Sequence, residues 1–283
     1  MNSGWIHSAG KTLLPFGNAL MLRLMLEQWR QGDFYGRWIG SLAGKLAEIY
    51  IDKRSYGAQI DQAISEGASE LFLDFNSYGE DPSGLETMVE SVVNYVGDRS
   101  SSVIMICGGV NEPTEHMSLV QYDDWMRRIR NGVDRSKYKQ RTLVSAGLES
   151  AANRDFYSHI FSSLRDTVDA YDFHTSNSGD ISDTRWILNN VPAGKGIINS
   201  EHYLYNLAKQ KGYDNSDVAS LYMQHLRLLE ESSRLRSVYL LFPSAWQDSE
   251  QWKWLGLRLM NSDLVITKVT KTWQALETWQ VAH

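Results

Sequence analysis

Two glutamates in this chain stand directly behind apolar runs with the character of strands. Glu112 follows SVIMICGGV (102–110), and Glu201 closes GIINSE (196–201), 89 positions further on. A continuous apolar run of this kind reads as a strand buried on both faces of a parallel sheet. Carboxyl groups at the ends of two such strands can serve one cleft. A pair of carboxyl groups flanking a glycosidic bond, one protonated and one ionised, is what cleaves it. Other strand ends carry polar groups as well: Asp52-Lys53-Arg54, Asp74-Phe75-Asn76, Glu149, His174-Thr175-Ser176, Glu201-His202-Tyr203 and Ser244-Ala245-Trp246. Arg54 is a candidate for contacting substrate or pairing with a carboxylate, against the alternative of a solvated loop charge. Asn76 and Asp74 are weaker candidates of the same kind. Tyr203 either hydrogen-bonds near Glu201 or simply packs.

The elements that must position these residues recur along the chain. Strands are expected at about 46–52, 70–75, 102–110, 142–148, 169–175, 196–201 and 237–246. Helices are expected at 56–68, 85–96, 118–131, 153–165, 182–190, 215–232 and 270–279, from apolar residues at helical spacing such as Ile60, Ala63 and Ile64. Seven strand–helix units are thus visible, and residues 1–45 must supply an eighth, with a helix at 37–46 following a strand or helix at 18–26. Alternating units at roughly 35 residues each point to a single-domain (β/α)8 TIM barrel over residues 1–283. An open doubly wound sheet is the alternative, but the Gly-rich phosphate loop after its first strand is missing. In a barrel the catalytic residues come from the C-terminal ends of the strands, which is where the polar groups above fall.

Composition narrows the function. The 283 residues carry Lys+Arg 28 against Asp+Glu 34, a net charge of −6, so no basic surface for a nucleic-acid backbone is implied. The single Cys107 excludes an internal disulfide framework and a Cys-rich metal module. Trp 10, Tyr 14 and Phe 8 make a chain rich in rings, as sugar-binding proteins are, although most rings in any fold are core. Residues 12–22 (TLLPFGNALML) are too short to span a bilayer and lack a signal-peptide cleavage site, so no membrane partner is expected and the location is cytoplasmic by default, the alternative being export by a route the sequence does not show.

The segments GGVNEP (108–113) and IINSEHY (197–203) resemble the clan A retaining glycoside hydrolases, the (β/α)8 superfamily of cellulases, mannanases, β-galactosidases and β-xylosidases. Its hallmarks are Asn-Glu-Pro after strand four and a Glu ending strand seven, and the resemblance covers roughly residues 46–250 by unit order. It implies that Glu112 is the acid/base, Glu201 the nucleophile, and Asn111 a ligand of the sugar 2-hydroxyl. His174 on strand six and Trp246 on strand eight fall where the clan often places a substrate-contacting His and a stacking Trp. The tyrosine that usually supports the nucleophile from strand six is replaced here by His174 and Thr175. The implied activity is retaining hydrolysis of a β-linked oligo- or polysaccharide, with no cofactor.

Other chemistries fit less well. Glu112, Glu115, His116 and the Glu201-His202 pair could suggest a metal, but Pro113 interrupts any helix there, and neither H-E-x-x-H nor H-x-H occurs. No G-x-S-x-G elbow supports a serine hydrolase. Lys53 is the sole strand-end lysine that a lyase or aldolase could use. A catalytically inactive carbohydrate-binding barrel is the remaining alternative.

Overall fold

The computed structural model describes residues 36–40, 45–51, 57–65, 68–75, 82–176, 178–240, 245–246, 256–260 and 266–282. The principal sheet runs in chain order through β1 (Gly36–Gly40), β2 (Lys45–Ile51), β3 (Ala68–Phe75), β4 (Ile104–Gly108), β5 (Thr142–Ala146), β6 (Ala170–His174), β7 (Gly196–His202) and β8 (Leu235–Leu240). From β2 to β8 each strand pairs in parallel with the next. The connections carry α1 (Gly57–Ser65), α2 (Leu85–Arg99), α3 (Leu119–Arg135), α4 (Arg154–Ser163), α5 (Ile181–Asn190), and α6 (Tyr205–Lys211) with α7 (Ser216–Glu230). α8 (Lys271–Ala282) ends the described chain and packs on α7.

Local sequence explains the helix starts. Ser118 and Gln121 form a reciprocal capping box at α3. Asn153, Asp180 and Asn215 each accept a backbone N–H from the first turn of α4, α5 and α7. The apolar runs in between become the interior. In β4, Met105, Ile106 and Cys107 are fully buried, as a strand covered on both faces requires.

The sheet curls. Glu70, near the start of β3, accepts hydrogen bonds from the hydroxyls of Ser237 and Tyr239 on β8, and Phe72 meets Tyr239 edge-on with centroids 5.6 Å apart. Strands distant in the sheet order therefore face each other across an interior filled by side chains. Burial raises the Glu70 carboxyl above its usual range, against the opposing influence of Ser237, Arg236 and Tyr239.

Two sequence expectations are corrected. The helix expected at 37–46 is absent, and β1 instead pairs antiparallel with β2, from Gly36↔Ile49 to Gly40↔Lys45. The reason lies in the residues: glycines at 36 and 40 weaken a helix, while Trp38 and Ile39 suit a pleated ladder. The proposed strand or helix at 18–26 lies outside the described residues. The strand expected at 237–246 is also two elements. β8 ends at Leu240, and Ala245–Trp246 forms β9, which pairs in parallel with β10 (Arg258–Met260) in a small sheet completed by β11 (Ile266–Val269). Pro243 in the intervening sequence has no N–H to donate to a ladder. The short helix α6 has no counterpart among the elements expected from the sequence.

Candidate active site

The C-terminal ends of β4 to β7 are stitched together by backbone hydrogen bonds. Glu112 N–H donates to Leu148 C=O at 2.7 Å, joining the end of β4 to the end of β5. His174 N–H donates to Glu149 C=O at 2.8 Å, and Ala151 N–H to His174 C=O at 2.9 Å, joining β5 to β6. Thr175 N–H donates to Glu201 C=O at 2.9 Å, joining β6 to β7. The two glutamates lie at the ends of this continuous series of contacts.

Glu112 is half-buried and holds φ 48°, ψ 55°, in the left-handed region. Leu148 has φ 53°, and these two are the non-glycine residues with positive φ among those described. A left-handed conformation costs an L-residue about 1–2 kcal/mol, so it persists only where surrounding contacts demand it. Here the two strained residues share a hydrogen bond. Pro113 then opens a short 3-10 turn, and Thr114 donates to Glu149 Oε2 at 2.5 Å. Asn111 is half-buried, with its amide oxygen screened from solvent.

Glu201 is 5% exposed and is aimed by an irregularity in β7. The β6–β7 register slips between Phe173 and His174, so that Asn199 pairs with Phe173 but Glu201 pairs with His174. Ser200 is the extra residue. Its hydroxyl lies 3.3 Å from Asp172 Oδ1, on the same side as His174, whose Nε2 is 3.7 Å from Glu201 Oε1. Strict alternation would send Glu201 to the face opposite Ser200; the bulge returns it to the side of His174. His202 then faces outward, where Thr175 Oγ1 donates to its Nδ1 at 3.0 Å and its Nε2–H donates to Tyr222 C=O at 3.3 Å. Burial, with a smaller contribution from His225, pushes the His202 pKa well below its usual value, so this ring is neutral.

The remaining sequence-derived candidates are distributed unevenly. His174 ends β6, is 1% exposed, and stands beside Glu201. Tyr203 follows β7, is 5% exposed, and meets Tyr205 edge-on at 6.1 Å. Trp246 belongs to β9 in the small sheet, paired with Met260, rather than to the strand that follows α7. Arg54 and Asn76 lie outside the described residues. Asp74, the penultimate residue of β3, is fully buried and in register with Gly108, where a Cβ would come within 2.8 Å of Asp74 Oδ1.

Sequence reasoning missed Asp172. The signal was present, because Asp172 and His174 sit two apart in a strand and share a face. Asp172 is fully buried and accepts from Ser145 Oγ at 2.6 Å and Leu148 N–H at 2.5 Å. Two tyrosines complete its surroundings. Tyr122 Oη accepts from Gly147 N–H at 2.9 Å, and Tyr157 O–H donates to Glu149 C=O at 2.6 Å. Burial first, and the Asp172 charge second, raise both phenols well above their usual pKa, so both keep their protons. Among the described residues no group of three or more His, Cys, Asp or Glu could hold a metal ion, and no helix is long and apolar enough to cross a membrane.

In fold, the chain resembles the TIM-barrel glycosidases of clan A, the superfamily to which GGVNEP and IINSEHY already pointed. Among solved structures it is similar to a β-glucuronidase from Bacteroides uniformis (TM-score 0.53, 12% identity, 94% of this chain and 33% of that one). It is likewise similar to a monomeric β-xylosidase from Caulobacter crescentus CB15 (0.56, 12%, 78% and 54%). Fungal β-1,4-galactanases give 0.57 at 12% identity, with 82% of this chain and 86% of that one covered. The chain therefore spans about a third of the length of the glucuronidase. No protein-family model and no curated protein sequence matches it.

Proposed function

We propose that this chain is a retaining β-glycoside hydrolase, built on a closed (β/α)8 barrel and acting on a β-linked oligo- or polysaccharide. The observation that carries the reading is the bulged end of β7. It turns Glu201 to the side of His174, and an unbroken series of strand-end contacts connects it to Glu112. Double displacement needs two carboxyl groups flanking the glycosidic bond, and a pair anchored in this way supports that reading.

In this reading Glu201 attacks the anomeric carbon while Glu112 gives its proton to the leaving oxygen. The bond to the leaving group breaks as the glycosyl–Glu201 ester forms. Glu112, now ionised, takes a proton from water, which displaces Glu201 with a second inversion and restores both groups. His174, 3.7 Å from Glu201, orients that carboxylate or contacts the sugar beside it. Asn111 next to the acid is assigned the 2-hydroxyl, where a hydrogen bond strengthens in the transition state. Trp246 is assigned to stacking on an apolar sugar face, and Arg54, Tyr203 and Asn76 to polar contacts.

The test separates the two carboxylates. Glu201→Ala removes the nucleophile, so turnover of every glycoside should be lost. Glu112→Ala removes proton transfer alone, so a glycoside with an acidic aryl leaving group should still glycosylate Glu201. The ester should then accumulate, and azide, which needs no base, should restore turnover and give a glycosyl azide of retained configuration. An azide product of inverted configuration, or unchanged polymer hydrolysis by Glu112→Ala, would overturn the assignment.

A further inference from the structure

We propose that Asp172 is a positioning residue for Glu112, acting through the peptide of Leu148; this rests on the reading of Glu112 as the acid/base. The proposal comes from a coincidence in the backbone. The left-handed residues Glu112 and Leu148 lie in different loops, yet the N–H of one donates to the C=O of the other at 2.7 Å. Each conformation thus depends on the other, and something outside the pair must set both.

Asp172 is that outside anchor. Its carboxylate is fully buried on β6, and Oδ1 accepts the Leu148 N–H at 2.5 Å. Fixing that N–H fixes the plane of the adjoining backbone, and with it the turn in which Leu148 C=O points toward Glu112. Ser145 Oγ donates to Oδ2 at 2.6 Å, and Ser200 Oγ to Oδ1 at 3.3 Å, so the carboxylate is held from β5 and β7 at once. Gly147 is required by the same geometry. Its φ is +151°, and a Cβ there would lie 1.7 Å from the Asp172 carbonyl oxygen. Tyr122 Oη takes the Gly147 N–H at 2.9 Å, leaving Leu148 N–H to Asp172. Ser200 is also the bulge residue that aims Glu201. One buried carboxylate thereby ties the turn under the acid/base to the bulge under the nucleophile. Asp172 acts on Glu112 through the backbone of Leu148, which is why it positions rather than reacts.

Asp172→Ala releases the Leu148 N–H, so Glu112 should relax from its left-handed conformation and deliver its proton poorly. The loss should therefore grow with the pKa of the leaving group. Activity on an acidic aryl glycoside should fall less than about threefold, and on a poor leaving group about a hundredfold, within the span of general acid catalysis. Thr184→Ala removes a buried hydrogen bond to His225 between α5 and α7 and serves as the control. It should lower thermal stability without steepening the leaving-group dependence. Asp172→Asn keeps an acceptor oxygen for Leu148 N–H and should restore most of the activity on poor leaving groups. Should Asp172→Ala not fold, Asp172→Ser is used in its place, since its hydroxyl can meet Ser145 but is too short for Leu148. Equal losses on good and poor leaving groups in Asp172→Ala would overturn the proposal, as would a crystal structure of that variant with Glu112 still near φ +48°. Glu112→Ala run in parallel keeps the two ideas apart: no leaving-group dependence there defeats the acid/base reading, whereas dependence there and none in Asp172→Ala defeats only the positioning role.

Discussion

Acid should unfold this protein through the histidine that follows the proposed nucleophile. His202 is fully buried between Thr175 on one side and Tyr222 on the other, with the His225 ring 6.2 Å away. Both rings have pKa values lowered from 6.5, chiefly by burial, His202 strongly so. The hydrogen bond to Gly179 C=O, and then the charges of Asp180 and Asp183, partly counter the shift at His225, so its share is the smaller. Below pH 6.5 the unfolded chain takes up a proton on each that the fold does not. Stability is therefore present above the unfolded pKa and lost as pH falls through the window beneath it. The loss approaches about 1.4 kcal/mol per pH unit per neutral histidine. Between pH 7.5 and 5.0 that amounts to about 2 kcal/mol for His202, or roughly 3–4 °C in Tm for a chain of this size. His202→Gln keeps a donor for Tyr222 C=O but does not titrate. Urea unfolding at both pH values should show the variant losing about 2 kcal/mol less than the wild type across that interval. The offset between the two proteins at pH 7.5 is immaterial, because the lost Thr175 contact acts at both pH values. Parallel stability–pH profiles, within about 0.5 kcal/mol, would refute the reasoning.

Three further outcomes are expected. A crystal structure should place the carboxyl carbons of Glu112 and Glu201 about 5–5.5 Å apart; about 6.5–9.5 Å would mean an inverting enzyme, and much more would end the pairing. Trp246→Ala should raise KM for oligosaccharides by about tenfold with little change in Tm, corresponding to about 1.4 kcal/mol of lost stacking; equal KM values would remove Trp246 from the site. Gly147→Ala should be among the most damaging single-methyl additions, costing more than about 3 kcal/mol, because the Cβ would collide with the Asp172 carbonyl oxygen and φ +151° disfavours a side chain. Chemical denaturation of that variant measures it, and near wild-type stability would contradict the geometry.

What could be read along the chain is what depends on neighbours in sequence. The periods of the apolar runs located β2 to β7 and the helices between them, because burial of a strand or a helix stripe leaves a local pattern. The order of those units, with polar groups at the strand ends, was enough to single out Glu112 and Glu201. Residues 36–40 mislead, since five residues, two of them glycines, carry too little period to tell a hairpin strand from a helix. Trp246 reads as the end of one strand over 237–246, yet it belongs to the small sheet, because nothing in sequence marks where one sheet ends and another begins. Tertiary structure alone decided the aim of the groups. The bulge at Ser200 arises from a mismatch of register between β6 and β7, and it reverses the face that alternation assigns to Glu201. The left-handed turn at Glu112 exists because Leu148, 36 positions away, offers a carbonyl that Asp172 has oriented from a third strand. A single chain segment carries no trace of such a constraint, because backbone strain of this kind is sustained by contacts among β4, β5 and β6 that form only when the sheet curls.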